Sequence, residues 1–314
     1  MDKINILYSF DNNFWRMAAI SIKSLVDAQK YPERVVVHCM VARRTHGKRV
    51  IKQIVNGAGA KLVWRTVSKR QNPFYNHYHA RWSPVIFYRL FSYRFFPSVE
   101  KMLYLDSDTL ILDDLTELYN TDISQHVLGA VRDMAPTEKE DVPGSKEVKA
   151  FEDNILKHGV YVNSGVLLMN QAKMRENKDL LLNIQVPLRF PDQDIINAAF
   201  DGRIKILPLR YNFVPQIYIS KKFSKAEALL AKKNPVIYHF YSYKPYYYDG
   251  APTKIYSMFY RACTALGFYP EDFARKDLKW RMKKEWARFG KQTNIPHLYL
   301  TKRGRLRLFG ILRV

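Results

Sequence analysis

The chain has 314 residues, 47% of them hydrophobic, and a formal net charge of +22. That length and apolar content supply a sizeable core and exclude a disordered chain, and no apolar run is long enough to cross a bilayer. A field of this sign draws polyanions, so nucleic acid, anionic lipid and phosphorylated glycans are the partner classes to weigh.

Ile4 to Phe10 reads as a short apolar strand that ends in Asp11, Asn12 and Asn13. Phe14 to Gln29 follows as a helix, with Trp15, Ala18, Ala19, Ile22 and Leu25 near one face. A strand, a polar turn and a helix open a nucleotide-binding α/β unit. The Gly-rich runs of dinucleotide and P-loop sites are missing. Asp11 and Asn13 have two readings, as contacts to a base or ribose and as caps of the helix. Arg34 to Val41 and Lys61 to Val67 are the next strands, with a helix from Thr45 to Gly59 between them. Ser83 and Pro84 start a further helix that carries Phe87, Leu90, Phe91 and Phe95 and ends at Pro97. Arg89 lies within it, as a surface charge or facing a phosphate.

Lys101 to Asp114 reads KMLYLDSDTLILDD. A short apolar run ending in charges is a buried strand emerging at a sheet edge, where ligands of open α/β sheets bind. Asp106 and Asp108 are like charges separated only by Ser107, and a hard divalent cation such as Mg²⁺ or Mn²⁺ relieves their repulsion. A solvated turn is the alternative. Leu115 to Tyr119 predicts a short helix and Val127 to Val131 a strand that ends in Arg132 and Asp133. Met134 to Lys157 is a polar segment, either a lid or a surface insertion. Tyr161 to Asn170 is another buried strand, in which Asn163, Ser164 and Gly165 break the apolar pattern. A glycine there implies close approach of a backbone or ligand. Ala172 to Ile184 is helical. Pro191 to Asp194 starts a helix, with Asp192 and Gln193 either complementing its dipole or pointing into a polar cleft. Lys205 to Leu209 and Pro235 to Phe240 complete the strands, the last one carrying His239, a packing residue or a metal ligand. Lys244 follows, a possible point charge for a phosphate, among the aromatics Tyr241, Tyr243, Tyr246, Tyr247 and Tyr248. Beyond Pro270 two basic clusters interleave with Trp280, Trp286, Leu306 and Phe309, a pattern that suits an anionic membrane surface. No nucleic-acid-binding motif accompanies the charge. Cys39 and Cys263 sit in apolar contexts, and MDKINILYSF lacks a long signal-type core, so a cytoplasmic setting is expected.

Taken together, YLDSD at Tyr104 to Asp108, NSGVLLMN at Asn163 to Asn170, DQDIIN at Asp192 to Asn197, YNF at Tyr211 to Phe213 and HF followed by KP at His239 to Pro245 stand in the order seen in family 8 glycosyltransferases. The closest look is to bacterial lipopolysaccharide galactosyl- and glucosyltransferases. The resemblance covers roughly residues 1–268 and implies a single-domain nucleotide-sugar-binding α/β fold of GT-A type with a mostly parallel central sheet. Residues 269–314 are then a basic amphipathic, membrane-associating segment, which also resembles that group.

The resemblance further implies a retaining transfer from a UDP-sugar, UDP-galactose or UDP-glucose, with Mn²⁺ or Mg²⁺, to a saccharide on a lipid-linked glycan at the inner face of the cytoplasmic membrane. It assigns Asp106, Asp108 and His239 to the metal, and Asp11 and Asn13 to uracil or ribose. It places Arg89 and Ser107 near the donor, Asp133, Asn163, Asp192 and Gln193 on the donor sugar, and Lys244 on the diphosphate. The run His239-Phe240-Tyr241-Ser242-Tyr243-Lys244-Pro245-Tyr246 departs from the family pattern. It lacks a glycine, is one residue shorter before the lysine, and has Tyr for Trp. For retention, Gln193 and Asp194 are the nucleophile candidates of a covalent route. A front-face route, in which the departing phosphate takes the acceptor's proton, needs neither. A basic nucleic-acid-binding protein and a UDP-sugar hydrolase are the alternatives.

Overall fold

The computed structural model describes residues 2–75, 83–133, 156–157, 160–184, 190–214, 223–241, 253–268, 273, 297–300 and 306–309. Its contacts divide the chain into two units, Met1–His239 and Phe240–Val314.

The first unit is built on a seven-stranded sheet of order β3-β2-β1-β4-β7-β6-β8. The strands are β1 (Ile4–Phe10), β2 (Val35–Val41), β3 (Lys61–Thr66), β4 (Lys101–Leu105), β6 (Leu128–Arg132), β7 (Val162–Asn170) and β8 (Ile204–Ile206). β3, β2, β1 and β4 run parallel, as do β6 and β8, while β7 is antiparallel to both β4 and β6. This is the mostly parallel α/β sheet expected. β2 and β7 are buried along nearly their whole length, as strands covered on both faces must be. Successive side chains alternate between the faces. Leu7, Met102 and Tyr104 join a core layer with Phe74, Phe87, Phe91 and Ile195. From the other face the Tyr8 hydroxyl meets Ser21 of helix α1 (Trp15–Ala28).

Two departures from the sequence reading have local causes. The helix expected from Ser83 is a 3-10 helix over Pro84–Arg94, interrupted by non-helical dihedrals at Phe91. Val85 and every residue from Phe87 to Tyr93 are buried. The segment therefore has no solvent face of the kind an amphipathic α-helix needs. The helix expected over Ala172 to Ile184 is two short ones, α4 (Gln171–Glu176) and α5 (Lys178–Leu182). They break at Asn177, whose amide donates to Lys173 O at 2.8 Å and accepts from Arg203 at 2.7 Å. Helices α2 (Lys48–Gly57), α3 (Thr116–Asn120) and α6 (Pro191–Ala199) lie where the sequence places them. Helix α7 (Lys225–Lys233) was not foreseen, although Ser224 and Glu227 form a capping box.

A separate two-stranded sheet pairs β5 (Thr109–Ile111) antiparallel with β9 (Ile237–His239). In the second unit, helix α8 (Thr253–Ala265), also unforeseen, packs Phe259 edge-on to Phe240. Strands β10 (His297–Leu300) and β11 (Leu306–Phe309) pair antiparallel. Lys244, residues 134–155 of the polar segment and most of the basic tail lie outside the described residues.

Candidate active site

The site forms where β4 ends and β7 begins. Because the two run antiparallel, the residue after β4 lies beside the start of β7, and Asp106 N donates to Gly165 O at 2.8 Å. Asp106 O then accepts from both the backbone and the hydroxyl of Thr109, at 3.2 and 2.8 Å. That turn places Asp108 in the site and directs the chain into β5. Thr109 pairs with His239 across the β5–β9 ladder. Two residues distant in sequence thus meet because two three-residue strands pair. His239 Nε2 lies 3.3 Å from Asp108 Oδ1 and 3.7 Å from Asp106 Oδ2. One ligand atom from each of the three side chains falls within a 4.8 Å group. Two carboxylate oxygens and one imidazole nitrogen form a donor set compatible with a divalent cation, so the residues fit a cation of the class the sequence resemblance implies.

Gly165 explains how the imidazole gets there. A Cβ on it would sit 2.3 Å from His239 Cε1, 2.8 Å from Nδ1 and 3.0 Å from Asn163 Oδ1. The close approach expected at this glycine is made by the histidine side chain.

Arg89 is buried behind the carboxylates. Its guanidinium is 2.9 Å from Asp106 Oδ1 and 3.3 Å from Asp192 Oδ2, donates to Ser164 O at 2.7 Å, and lies over the Tyr104 ring. The Tyr104 hydroxyl donates to the same Asp106 oxygen at 2.7 Å. Burial works against the guanidinium's charge, but Asp106 and Asp192 outweigh it and hold the group protonated. Burial pushes the Asp192 carboxyl above the usual carboxylate range, offset in part by Arg89 and by the Ser164 hydroxyl at 2.9 Å. Arg89 is therefore not a surface charge; it partly neutralises and orients two acidic side chains.

The start of β7 organises the remaining polar groups. Gln193 Oε1 accepts from Ser164 N at 3.0 Å and Asn163 Nδ2 at 3.2 Å, and Asn163 Nδ2 also donates to Asp133 Oδ1 at 3.0 Å. Asp192 and Gln193 come from the N-terminus of α6, Asp133 from the end of β6. Asp194 accepts from the Tyr161 hydroxyl and, at 2.6 Å, from Phe190 N, so it braces the entry to its own helix. Ser107 is buried, its hydroxyl 3.4 Å from Ser9 O on the neighbouring strand. Asp11 lies at the same edge, beyond the end of β1. Its carboxylate accepts from Asn13 N and Phe14 N, at 2.8 and 3.3 Å, in the turn before α1, and Asn13 is exposed. The structure thus gathers Asp106, Asp108, His239, Arg89, Asp133, Asn163, Asp192 and Gln193 through shared contacts. It leaves Asp11 and Asn13 in their own turn. Sequence reading gave no site role to Tyr104, Ser164 or Asn212, although all three stand inside the strings that carried the resemblance.

The family model of glycosyl transferase family 8 matches residues 5–250. A Haemophilus influenzae protein named as a glycosyltransferase is 26% identical over 246 residues, which cover 76% of this chain and 71% of that one. A lipopolysaccharide 1,2-glucosyltransferase of Escherichia coli is 26% identical over 234 residues, 68% of this chain and 63% of its own length. Its counterpart in strain K12 aligns over 39% of its length at 28% identity. Among solved structures, the galactosyltransferase LgtC, bound to donor and acceptor sugar analogues, shares the fold with a TM-score of 0.67 at 20% identity, covering 88% of this chain and all of that one. With a family model spanning most of its length and the sheet, the carboxylate pair and the histidine in place, the chain belongs to glycosyl transferase family 8.

Proposed function

We propose that this glycosyltransferase moves galactose or glucose from UDP-galactose or UDP-glucose, with retention of configuration, to a saccharide acceptor on a lipid-linked glycan of lipopolysaccharide type. The observation that carries the reading is the convergence of Asp106, Asp108 and His239 at a sheet edge. The sugar classes follow the names of the relatives. Mn²⁺ or Mg²⁺ held by the three side chains would take up charge growing on the departing diphosphate.

The protein groups divide the remaining work. Asp11 and Asn13, at the end of β1, are assigned to the uracil and ribose. Arg89 fixes the positions of Asp106 and Asp192 through a buried ion pair, so neither must reorganise during the reaction. Asp192, Gln193, Asp133 and Asn163 form the polar wall assigned to the donor sugar. Asp194 is bound by Tyr161 and by its own helix entry. That favours the front-face route, in which the acceptor hydroxyl gives its proton to the departing phosphate. Lys244 is assigned to the diphosphate and the basic tail to an anionic membrane surface. Among the described residues no helix is long and apolar enough to cross a membrane.

The test is UDP release from a panel of UDP-sugars with Mn²⁺, with and without short acceptor saccharides, and NMR of the product's anomeric centre. Acceptor-dependent release and a retained anomer are expected. Asp106→Asn and Asp108→Asn should each lower transfer by at least ~10²-fold. Near wild-type transfer by both variants, release without acceptor, or an inverted product would refute the corresponding part. Pelleting with anionic vesicles, of the full chain against one ending at Pro270, tests the membrane role, which equal pelleting would remove.

A further inference from the structure

We infer that Asn212 is a positioning residue that selects the His239 tautomer and so turns its Nε2 lone pair onto the carboxylate pair. The inference rests on the metal reading above and concerns how this chain prepares its own ligand.

Amide orientations are set by their hydrogen bonds, and here the assignment starts from a group with no freedom. The Gly165 backbone N–H can only donate, and it meets one terminal atom of the Asn163 side chain at 2.9 Å, so that atom is the oxygen. The Asn212 atom 2.8 Å from the same oxygen must then be the nitrogen. The other Asn212 atom, 2.9 Å from His239 Nδ1, is therefore the oxygen, an acceptor only. Nδ1 must carry a proton, and in the neutral ring Nε2 is left as the acceptor. It faces Asp106 Oδ2 and Asp108 Oδ1.

A second backbone group fixes the same chain of amides. Ser164 N–H donates to Gln193 Oε1, which also takes a hydrogen from Asn163 Nδ2, and Asp133 accepts from that nitrogen too. Turning over the Asn163 amide would break contacts at both of its ends. Asn163, Asn212 and His239 are all buried, so water does not readily substitute for any of these partners.

Three acceptors aimed at one point repel each other unless a cation lies between them. Neutral histidine in water prefers the opposite tautomer, with its proton on Nε2, which would hydrogen-bond a carboxylate and close the point to a cation. Asn212 opposes that state. A partner that fixes the far nitrogen of a metal-binding histidine is typically worth about 10- to 100-fold in metal affinity.

The experiment uses the full chain. Mn²⁺ alone is titrated and read by electron paramagnetic resonance of the free ion, for the wild type and Asn212→Leu. The tautomer is read in the metal-free wild type, at a pH where the ring is neutral, by ¹⁵N NMR of labelled histidine. The expected results are a dissociation constant weakened by about 10- to 100-fold in Asn212→Leu and a proton on Nδ1 in the wild type. A wild type that binds no Mn²⁺ overturns the metal reading and this inference with it. Wild-type binding with an unchanged constant in Asn212→Leu overturns the inference alone. So does a proton on Nε2 in the wild type, a measurement that does not depend on the variant folding.

Discussion

Gly165→Ala adds one methyl group at the most crowded point of the site. Because Gly165 has no left-handed backbone conformation, alanine suits its dihedrals, and elsewhere such a change would stabilise the fold by about 0.4–1 kcal/mol through the unfolded chain. Here the new Cβ meets His239 Cε1 at 2.3 Å, so the ring must retreat by roughly 1 Å to reach ordinary contact. It cannot retreat without straining its 2.9 Å bond to Asn212 or leaving the carboxylates. Overpacking of this kind costs about 1–3 kcal/mol, opposite in sign to the backbone effect. Metal ligation tolerates departures of only about 0.2 Å, so the Mn²⁺ dissociation constant should weaken at least ~10-fold. Transfer should fall by about 10²-fold, the loss that a 1 Å misplacement can produce. Thermal melting, Mn²⁺ titration and UDP release measure the three effects. A variant more stable than the wild type, with unchanged Mn²⁺ affinity, would refute the packing argument.

Two further outcomes follow from buried charges. Arg89→Leu leaves Asp192 buried opposite Asp106 with no cation between them, which should cost about 3–5 kcal/mol of stability at pH 7. Adding Asp192→Asn should recover part of that loss in urea unfolding, and strict additivity of the two changes would show that the pair is not coupled. His38 is buried against Asn5 and Phe96, and burial first, with Arg65 and Lys61 next, lowers its pKa from 6.5 to about 4. The unfolded chain therefore binds the extra proton more readily. This contribution to stability is fully present above pH 6.5 and falls away as the pH drops toward 4, by about 3 kcal/mol at pH 4. A His38→Leu variant whose urea midpoint falls over that range as steeply as the wild type's would exclude the group as a source.

Much of this architecture was legible in the chain. β1, β2, β4 and β7 are short apolar runs that periodicity identifies, and Asp106 and Asp108 declare themselves by standing at the end of one. Gly165 was visible as an interruption that implied close approach, though not what approached. The pairing that brings His239 to the carboxylates was not legible. β5 and β9 are three residues each, too short to show an alternation, and only their mutual register defines the meeting. The helix over Pro84–Arg94 was expected but not its 3-10 form, because Val85 and Phe87 to Tyr93 are buried, which removes the amphipathic signal that marks an α-helix. Asn212 and Ser164 escaped for another reason. Neither the hydroxyl within the buried strand β7 nor the amide at the end of a short 3-10 turn carries a sequence feature that separates a buried relay from a polar residue facing solvent.

If the proposed cation binds, the β5–β9 ladder makes it a fastener as well. Asp108 and His239 stand together at one end of a ladder that closes a long excursion of the chain, so an ion gripping both would resist the peeling of one short strand from the other. By linkage, whatever separates Thr109 from His239 must loosen the ion by the same free energy that the ion contributes to holding them together. Chelation should therefore speed amide exchange along Leu110–Ile111 and Ile237–Tyr238 while leaving the interior strands of the large sheet as slow as before.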